Sequence, residues 1–272
     1  MEIFNCDNKG NKIAGYLPKI IDSSINFNGE NNILYCDENV CLNKSELNFN
    51  GCNSLIYFGT SEHKVNISVW NDSVCHCGKF VTYPTTTGFV LSEHKHIFMG
   101  DRCMISVNVM IHNSDHHLIY SCNDRNRINS TKSIYIGDPV WLGRQVSILK
   151  GTQIDSGSII GWNSIVAGKK IPHNSIWAGN PARPIKNGVF WDRALIHDFS
   201  EEMTEASMNY NNFISQNRKD FQDDCWIYEY DKNQVIEWDS LETALSHGTA
   251  YDKCNFLINL NNTKSKNRFV HK

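Results

Sequence analysis

Aliphatic residues fall at Ile136, Leu142, Ile148, Ile154, Ile160 and Val166, each six positions after the last. An amphipathic helix repeats its apolar positions every 3.6 residues or so, and a half-buried strand about every two. A period of six fits neither. It fits a triangular solenoid, in which each hexad is one short strand on a flat face followed by a tight corner. The aliphatic residue points inward. The second place of the hexad is often Gly or Asp, which the corner backbone tolerates. Three hexads make a coil, and coils stack by parallel pairing roughly 4.8 Å apart, so that like residues bury one another in columns.

The phase of six recurs upstream at Met99, Ile105 and Ile111, and again at Val69, Cys75 and Val81. Leu34 and Val40 open the pattern. The chain therefore divides into an N-terminal segment 1–29, a solenoid over 30–187, and an extension over 188–272. The pattern breaks between Ile111 and Ile134, where HNSDHHLIYSCNDRNRINSTKS is too polar to fill a coil. Residues 112–133 are thus expected to loop out of a corner, and long loops on a rigid scaffold tend to carry function.

Prolines in IPHNSIWAGNPARPIK, 171–186, end the coils. Beyond them, residues near 190–218 read as helical, with Ser200 as N-cap. Residues 225–238 read as a hairpin, and a short helix is expected around Leu241–Leu245. The polar end NNTKSKNRFVHK reads as frayed.

Composition narrows the class. Forty per cent of the 272 residues are hydrophobic, 20% are charged, and the formal net charge is −3. That balance argues for a folded chain without the basic surplus of a nucleic-acid binder. No stretch has the length of a transmembrane helix. The start, Met-Glu-Ile-Phe-Asn-Cys, has no signal-peptide character. Ten scattered cysteines then read as free thiols in a reducing cytoplasm. Cys75-His76-Cys77 has no second pair at zinc-finger spacing, and no metal site is expected.

The runs DHHLIYS, IYIGDPVWLGRQVSILKG and IIGWNSIVAGKKIPHNSIWAGNPARPIK resemble the hexapeptide-repeat acyltransferases, especially sugar and capsular polysaccharide O-acetyltransferases. The resemblance covers about residues 97–187. It implies a mainly β fold, a left-handed parallel β-helix, with an extruded catalytic loop and a small α+β C-terminal extension. It also implies acetyl-CoA as cosubstrate, a carbohydrate hydroxyl as acceptor, and a homotrimer with sites between subunits.

Acetyl transfer from a thioester to a hydroxyl needs a base, oxyanion donors and a groove for CoA. Histidine suits the first role. Among His112, His116 and His117, the resemblance assigns the base to His117. That residue lies 24 positions before Trp141, the Trp of the VWLG run. Trp141 is expected to line the active site, with a backbone N–H near Gly143 and Arg144 as oxyanion donor. Gly161, Trp162, Ala167 and Gly168 would border the pantetheine arm. Lys169, Lys170, Arg183 and Lys186 are the basic candidates for the CoA phosphates, with the choice between Lys169 and Lys170 open.

Other readings stay open at this point. The acceptor could be an antibiotic or an amino sugar in place of a bacterial surface sugar of capsule or lipooligosaccharide. A zinc carbonic anhydrase-like β-helix would use His63, His94, His96 and the loop histidines. Trp226, Tyr228, Tyr230 and Trp238 could stack on sugars, but read better as the core of a small β-unit.

Overall fold

The fold, taken from a computed structural model, is described for residues 2–217, 235–263 and 269–271. Three parallel sheets form the faces of a prism. Face one stacks Lys12–Gly15, Ile33–Cys36, Leu55–Phe58, Val74–Cys77, Ile97–Met99, Ile134–Ile136, Gln153–Ile154 and Lys170–Ile171. Face three stacks seven strands, from Ser24–Phe27 through Met110–His112 to Ile165–Ala167. Face two is divided. Lys19–Ile21, Cys41–Asn43 and Glu62–His63 form one ladder, and Met104–Ile105, Trp141–Leu142, Ile159–Ile160 and Ser175–Gly179 form another. Between the two ladders, Thr82 makes a single bridge, to Met104 of the second.

The hexad residues do what their spacing predicts. Ile136, Leu142, Ile148, Ile154, Ile160 and Val166 are all fully buried, on faces one, two and three in turn. On face one, Cys36, Phe58, Cys77, Met99, Ile136 and Ile154 are stacked in register along the inside. The parallel ladder begins at Lys12, paired with Ile33, so a first coil lies within the segment 1–29. Its signal is hidden because the early coils are longer and their corners are not hexad-spaced.

Corners between faces three and one take Asn31, Asn53, Asp72 and His94, all with φ between 56 and 60°. The left-handed region suits Asn, Asp and His better than most side chains. His94 is therefore a corner residue, its Nδ1 3.0 Å from Asp72 Oδ2.

The outside of face one carries a second column: Tyr35, Tyr57, His76, Phe98 and Tyr135. The rings from Tyr35 to Phe98 stack, His76 on Phe98 at 4.2 Å and 7°. Such a surface needs a cover, and the C-terminal extension supplies it. Trp238–Leu245 (α3), Ala250–Thr263 (α4) and the strand Phe269–Val270 close over it. Trp238 stacks on Tyr135 and on Phe269.

Several expectations for the extension change here. Trp238 is core, but it begins a helix on the solenoid instead of ending a hairpin. Most of 225–238, including Trp226, Tyr228 and Tyr230, lies outside the described residues. The chain end is not frayed at Phe269–His271: Phe269 is fully buried, Phe269–Val270 pairs with Ile236–Glu237, and His271 Nδ1 is 2.9 Å from Asp155 Oδ2. One buried ring and a strand pairing outweigh the polar composition of the segment. Among the described residues of 190–218, helix is confined to Glu201–Ser207 (α1) and Tyr210–Asn217 (α2), with Ser200 Oγ capping the first by accepting from Met203 N.

Candidate active site

The polar interruption leaves the prism at the corner after Met110–His112 and returns at Ile134. Its base is held by the fully buried Asn113, whose Oδ1 accepts from Ser92 N at 3.0 Å. The His117 N–H donates to the Asp115 carbonyl at 2.8 Å, around His116 at φ 64°. This is a γ-turn of the positive-φ kind, which is rare and strained and which proteins keep where the surroundings impose it.

Asn129 imposes it. Nearly buried, it donates through Nδ2 to the His117 carbonyl at 2.7 Å and to Asp115 Oδ2 at 3.1 Å, and its Oδ1 accepts from Ile119 N at 3.0 Å. Lys150, from the next coil, reaches Asp115 Oδ2 at 2.5 Å and the Asn129 carbonyl at 3.0 Å. The hydrogen bond from Lys150, with that from Asn129, holds the Asp115 carboxyl below the usual range against a smaller effect of burial.

The turn separates the two adjacent histidines. His116 lines a cavity of about 370 Å³ under the loop, together with Trp70, Glu93, His94 and Arg127. His117 is exposed and is not among the lining residues. No side-chain hydrogen bond to its ring occurs among the described residues. The His112 ring stands 5.7 Å from that of His116, nearly perpendicular to it. Burial, and then the charge of His116, push His112 below the ordinary imidazole range.

Trp141 lies on the outside of face two, half-buried, with its Nε1 3.4 Å from Ser106 Oγ. It is covered by Trp191, whose ring centre is 6.0 Å away. Trp191 belongs to a strap anchored by Arg193, which donates to Thr82 Oγ1 and to the carbonyls of Phe80, Arg102 and Cys103. The anchor sits at the break in face two, where strand pairing is reduced to one bridge. The Arg193 guanidinium also lies 5.6 Å from the Trp191 ring, within cation–π range.

The Gly143 N–H donates to the Ile160 carbonyl at 2.8 Å within the ladder, so it is not free for an oxyanion. A Cβ at Gly143 would stand 2.8 Å from that same carbonyl, and coil stacking alone accounts for this glycine. Arg144 places its guanidinium 5.6 Å over Trp162, which is 64% exposed at the corner between faces two and three. Gly161 opens that corner, and Ala167 and Gly168 lie at the end of face three, both exposed.

The basic candidates divide. Arg183 and Lys186 are exposed on Ala182–Asn187, antiparallel to Ser175–Gly179 in the sheet that holds Trp141. Lys170 extends the outer column of face one beyond Tyr135 and Gln153, near Trp238 and His271. Lys169 lies half-buried just before it.

The zinc-type histidines do not converge. His63 packs between Phe58 and Tyr83 inside the prism, its ring tilted to both, and His96 accepts from Val74 N. Cys75 and Cys77 point inward while His76 points out. Among the described residues, no group of three or more His, Cys, Asp or Glu could hold a metal ion.

Sequence reasoning missed Asn129, Lys150, Trp191 and Arg193. Two of them lie in runs already singled out, Asn129 in the polar loop and Lys150 in the VWLG run, but each acts on a partner distant in sequence that no local pattern identifies.

Similarity to known proteins fits this architecture. No protein-family model matches the chain. It is 36% identical over 104 residues to a polysialic acid O-acetyltransferase of Escherichia coli O1:K1 / APEC, a match covering 38% of this chain and 34% of the relative. It is 31% identical over 124 residues to a polysialic acid O-acetyltransferase of Neisseria meningitidis, covering 44% of this chain and 58% of that one. The matches thus span a third to under two-thirds of these curated relatives. The crystal structure of the polySia-specific acetyltransferase NeuO superposes with a TM-score of 0.62 and 29% identity, covering 76% of this chain and 93% of that chain.

Proposed function

We propose that this chain, whose fold is the left-handed β-helix of the hexapeptide-repeat acetyltransferases, transfers acetyl from acetyl-CoA to a carbohydrate hydroxyl. The observation that carries the reading is the braced γ-turn at Asp115–His117, which turns His116 into a cavity on that fold and leaves the adjacent His117 exposed.

His117 is the proposed base. Its imidazole takes the hydroxyl proton as the acceptor oxygen attacks the thioester carbonyl. The oxyanion is met by the Arg144 N–H. Collapse breaks the carbon–sulfur bond, and the imidazolium returns the proton to the departing CoA thiolate. Direct attack needs no acyl-enzyme, and the buried cysteines support none: burial drives the Cys103 and Cys36 thiols well above their usual range.

The half-exposed apolar outside of face two, with Met104, Trp141, Ile159 and Ile176 in register, suits the pantetheine arm. Arg183 and Lys186 continue that sheet and suit the phosphates. Within one chain, His117 leaves at the corner of faces three and one, whereas Trp141 lies on face two. A site containing both is therefore proposed to form between neighbouring subunits of a homotrimer, with the acceptor a bacterial surface sugar modified in the cytoplasm.

One observation favours a second assignment: His116, not His117, lines the cavity. Release of free CoA from acetyl-CoA, measured with a panel of oligosaccharides on the wild type, His117→Ala and His116→Ala, decides between them. Glycan-dependent release lost only in His117→Ala supports the assignment. Loss only in His116→Ala moves the base, and failure to bind acetyl-CoA would sink the transferase reading.

A further inference from the structure

We infer that the cavity under the His loop is a glycan subsite that stacks one uncharged sugar ring on Trp70, beside the residue that is acetylated. The inference rests on the carbohydrate acetyltransferase reading and specifies its acceptor. The cavity floor comes from successive corner turns, Trp70–Asn71 and Ser92–His94, and its roof from the loop. Two coil steps make it about 10 Å along the prism axis. Its volume of about 370 Å³ lies in the range of small-molecule sites.

Trp70 is 38% exposed in a corner whose other positions are polar. A pyranose ring has apolar C–H faces and a polar rim. An exposed indole covers the first, and Asn71 and the paired hydroxyls of Ser92 and Ser114, 2.8 Å apart, meet the second. This is what a sugar site requires of a concave surface.

Charge selects among sugars. The Arg127 fork is occupied by Glu93, with contacts of 2.7 and 2.9 Å. Hydrogen bonds from Arg127 and Thr131 hold the Glu93 carboxyl at about 2, so it remains an anion. His94 is paired with Asp72. A carboxylated sugar here would find the Arg127 guanidinium already neutralised and an ionised Glu93 in the wall. An uncharged ring meets no such cost. Because His117 does not line the cavity, the ring held there is a neighbour of the acetylated one, and the acceptor has at least two residues.

The test is direct binding, read by saturation-transfer NMR, with maltotetraose and N-acetylchitotetraose as uncharged probes and tetrameric sialic acid as the charged one. A neutral tetrasaccharide is expected to bind, Trp70→Ala to weaken it about tenfold, and Trp70→Phe to restore most of the affinity. Glu93→Gln, which frees Arg127, is expected to strengthen binding of the sialic acid tetramer. Absence of binding by both neutral tetrasaccharides, or indifference to Trp70→Ala, overturns the subsite, as does preference of the wild type for the charged tetramer. Acetyl-CoA binding is measured on the same samples. If it is retained while glycan binding fails, the subsite alone falls; if it is absent from the wild type, the transferase reading falls whatever the glycans do.

Discussion

Lys150 and Asp115 meet at 2.5 Å, across the gap between the extruded loop and the coil that follows it. This contact joins the strained turn at His116 to the rigid prism. Lys150→Met is expected to loosen residues 113–131, seen as faster amide exchange, and to lower kcat several-fold with acetyl-CoA binding unchanged. The Asp115 carboxyl is held below its usual value. The stabilisation it contributes is therefore present above the ordinary carboxylate range and is lost as pH falls through the depressed value. Loop protection factors, which correct for the intrinsic pH dependence of amide exchange, should fall in acid in the wild type and be nearly independent of pH in Lys150→Met. Equal rates in both proteins at neutral pH would refute the brace.

His117→Ala should lower kcat by about 10²- to 10⁴-fold, the usual contribution of a general base, with the fold intact because the side chain is exposed. Asn129→Ala should act through position alone. It removes the bonds to the His117 carbonyl and to Asp115. It should cost kcat but leave the pH at half-maximal rate in place, which a pH–rate profile reads.

Removing the aromatic clasp on face one should be expensive. Trp238 is buried and stacks on Phe269 at 4.8 Å and 3°, while its Nε1 donates to Asp155 Oδ1 at 2.8 Å. Trp238→Ala should destabilise by about 3–5 kcal/mol. It should also expose the Tyr35–Tyr135 column, detected by urea unfolding and by proteolysis of the C-terminal extension. A loss below 1 kcal/mol or so would mean that the extension is only loosely held.

Trp191→Ala removes the cover from Trp141. Its expected signature is a raised KM for acetyl-CoA with a smaller change in acceptor KM. An unchanged acetyl-CoA KM would assign Trp191 to packing alone.

Two interior histidines predict acid lability. Burial pushes His63 down to about 4 and His96 down to about 3, from 6.5 for a free imidazole. In the unfolded chain both take up protons below pH 6.5 or so, whereas in the folded chain they resist. Stability should thus be full above that pH and fall as pH drops toward 4 and then 3. His63→Phe should be less stable at pH 7, since the Gly59 carbonyl loses its 2.8 Å partner. Its urea midpoint should nevertheless change less between pH 6.5 and 4 than that of the wild type.

The sequence by itself determined the prism from about residue 97 to residue 187, because a period of six is a local covalent property that each coil repeats. It also located the extruded loop, since a run of Asn, Asp, Ser and His cannot fill an apolar column. The earlier coils were only partly legible. Their corners use left-handed Asn31, Asn53, Asp72 and His94 at uneven spacing, so the columns align in space without a fixed period along the chain. Tertiary structure alone decided which of two adjacent histidines enters the cavity. That choice rests on a γ-turn held by Asn129 and Lys150, residues 12 and 33 positions beyond His117. It also decided that Lys170 leaves the face of Trp141 while Arg183 and Lys186 share its sheet. The same holds for the C-terminal end, where burial of Phe269 against Trp238 overrides a polar local sequence. Periodicity encodes what each residue's neighbours in the chain can settle; contacts across coils depend on which distant residues the stacking brings together.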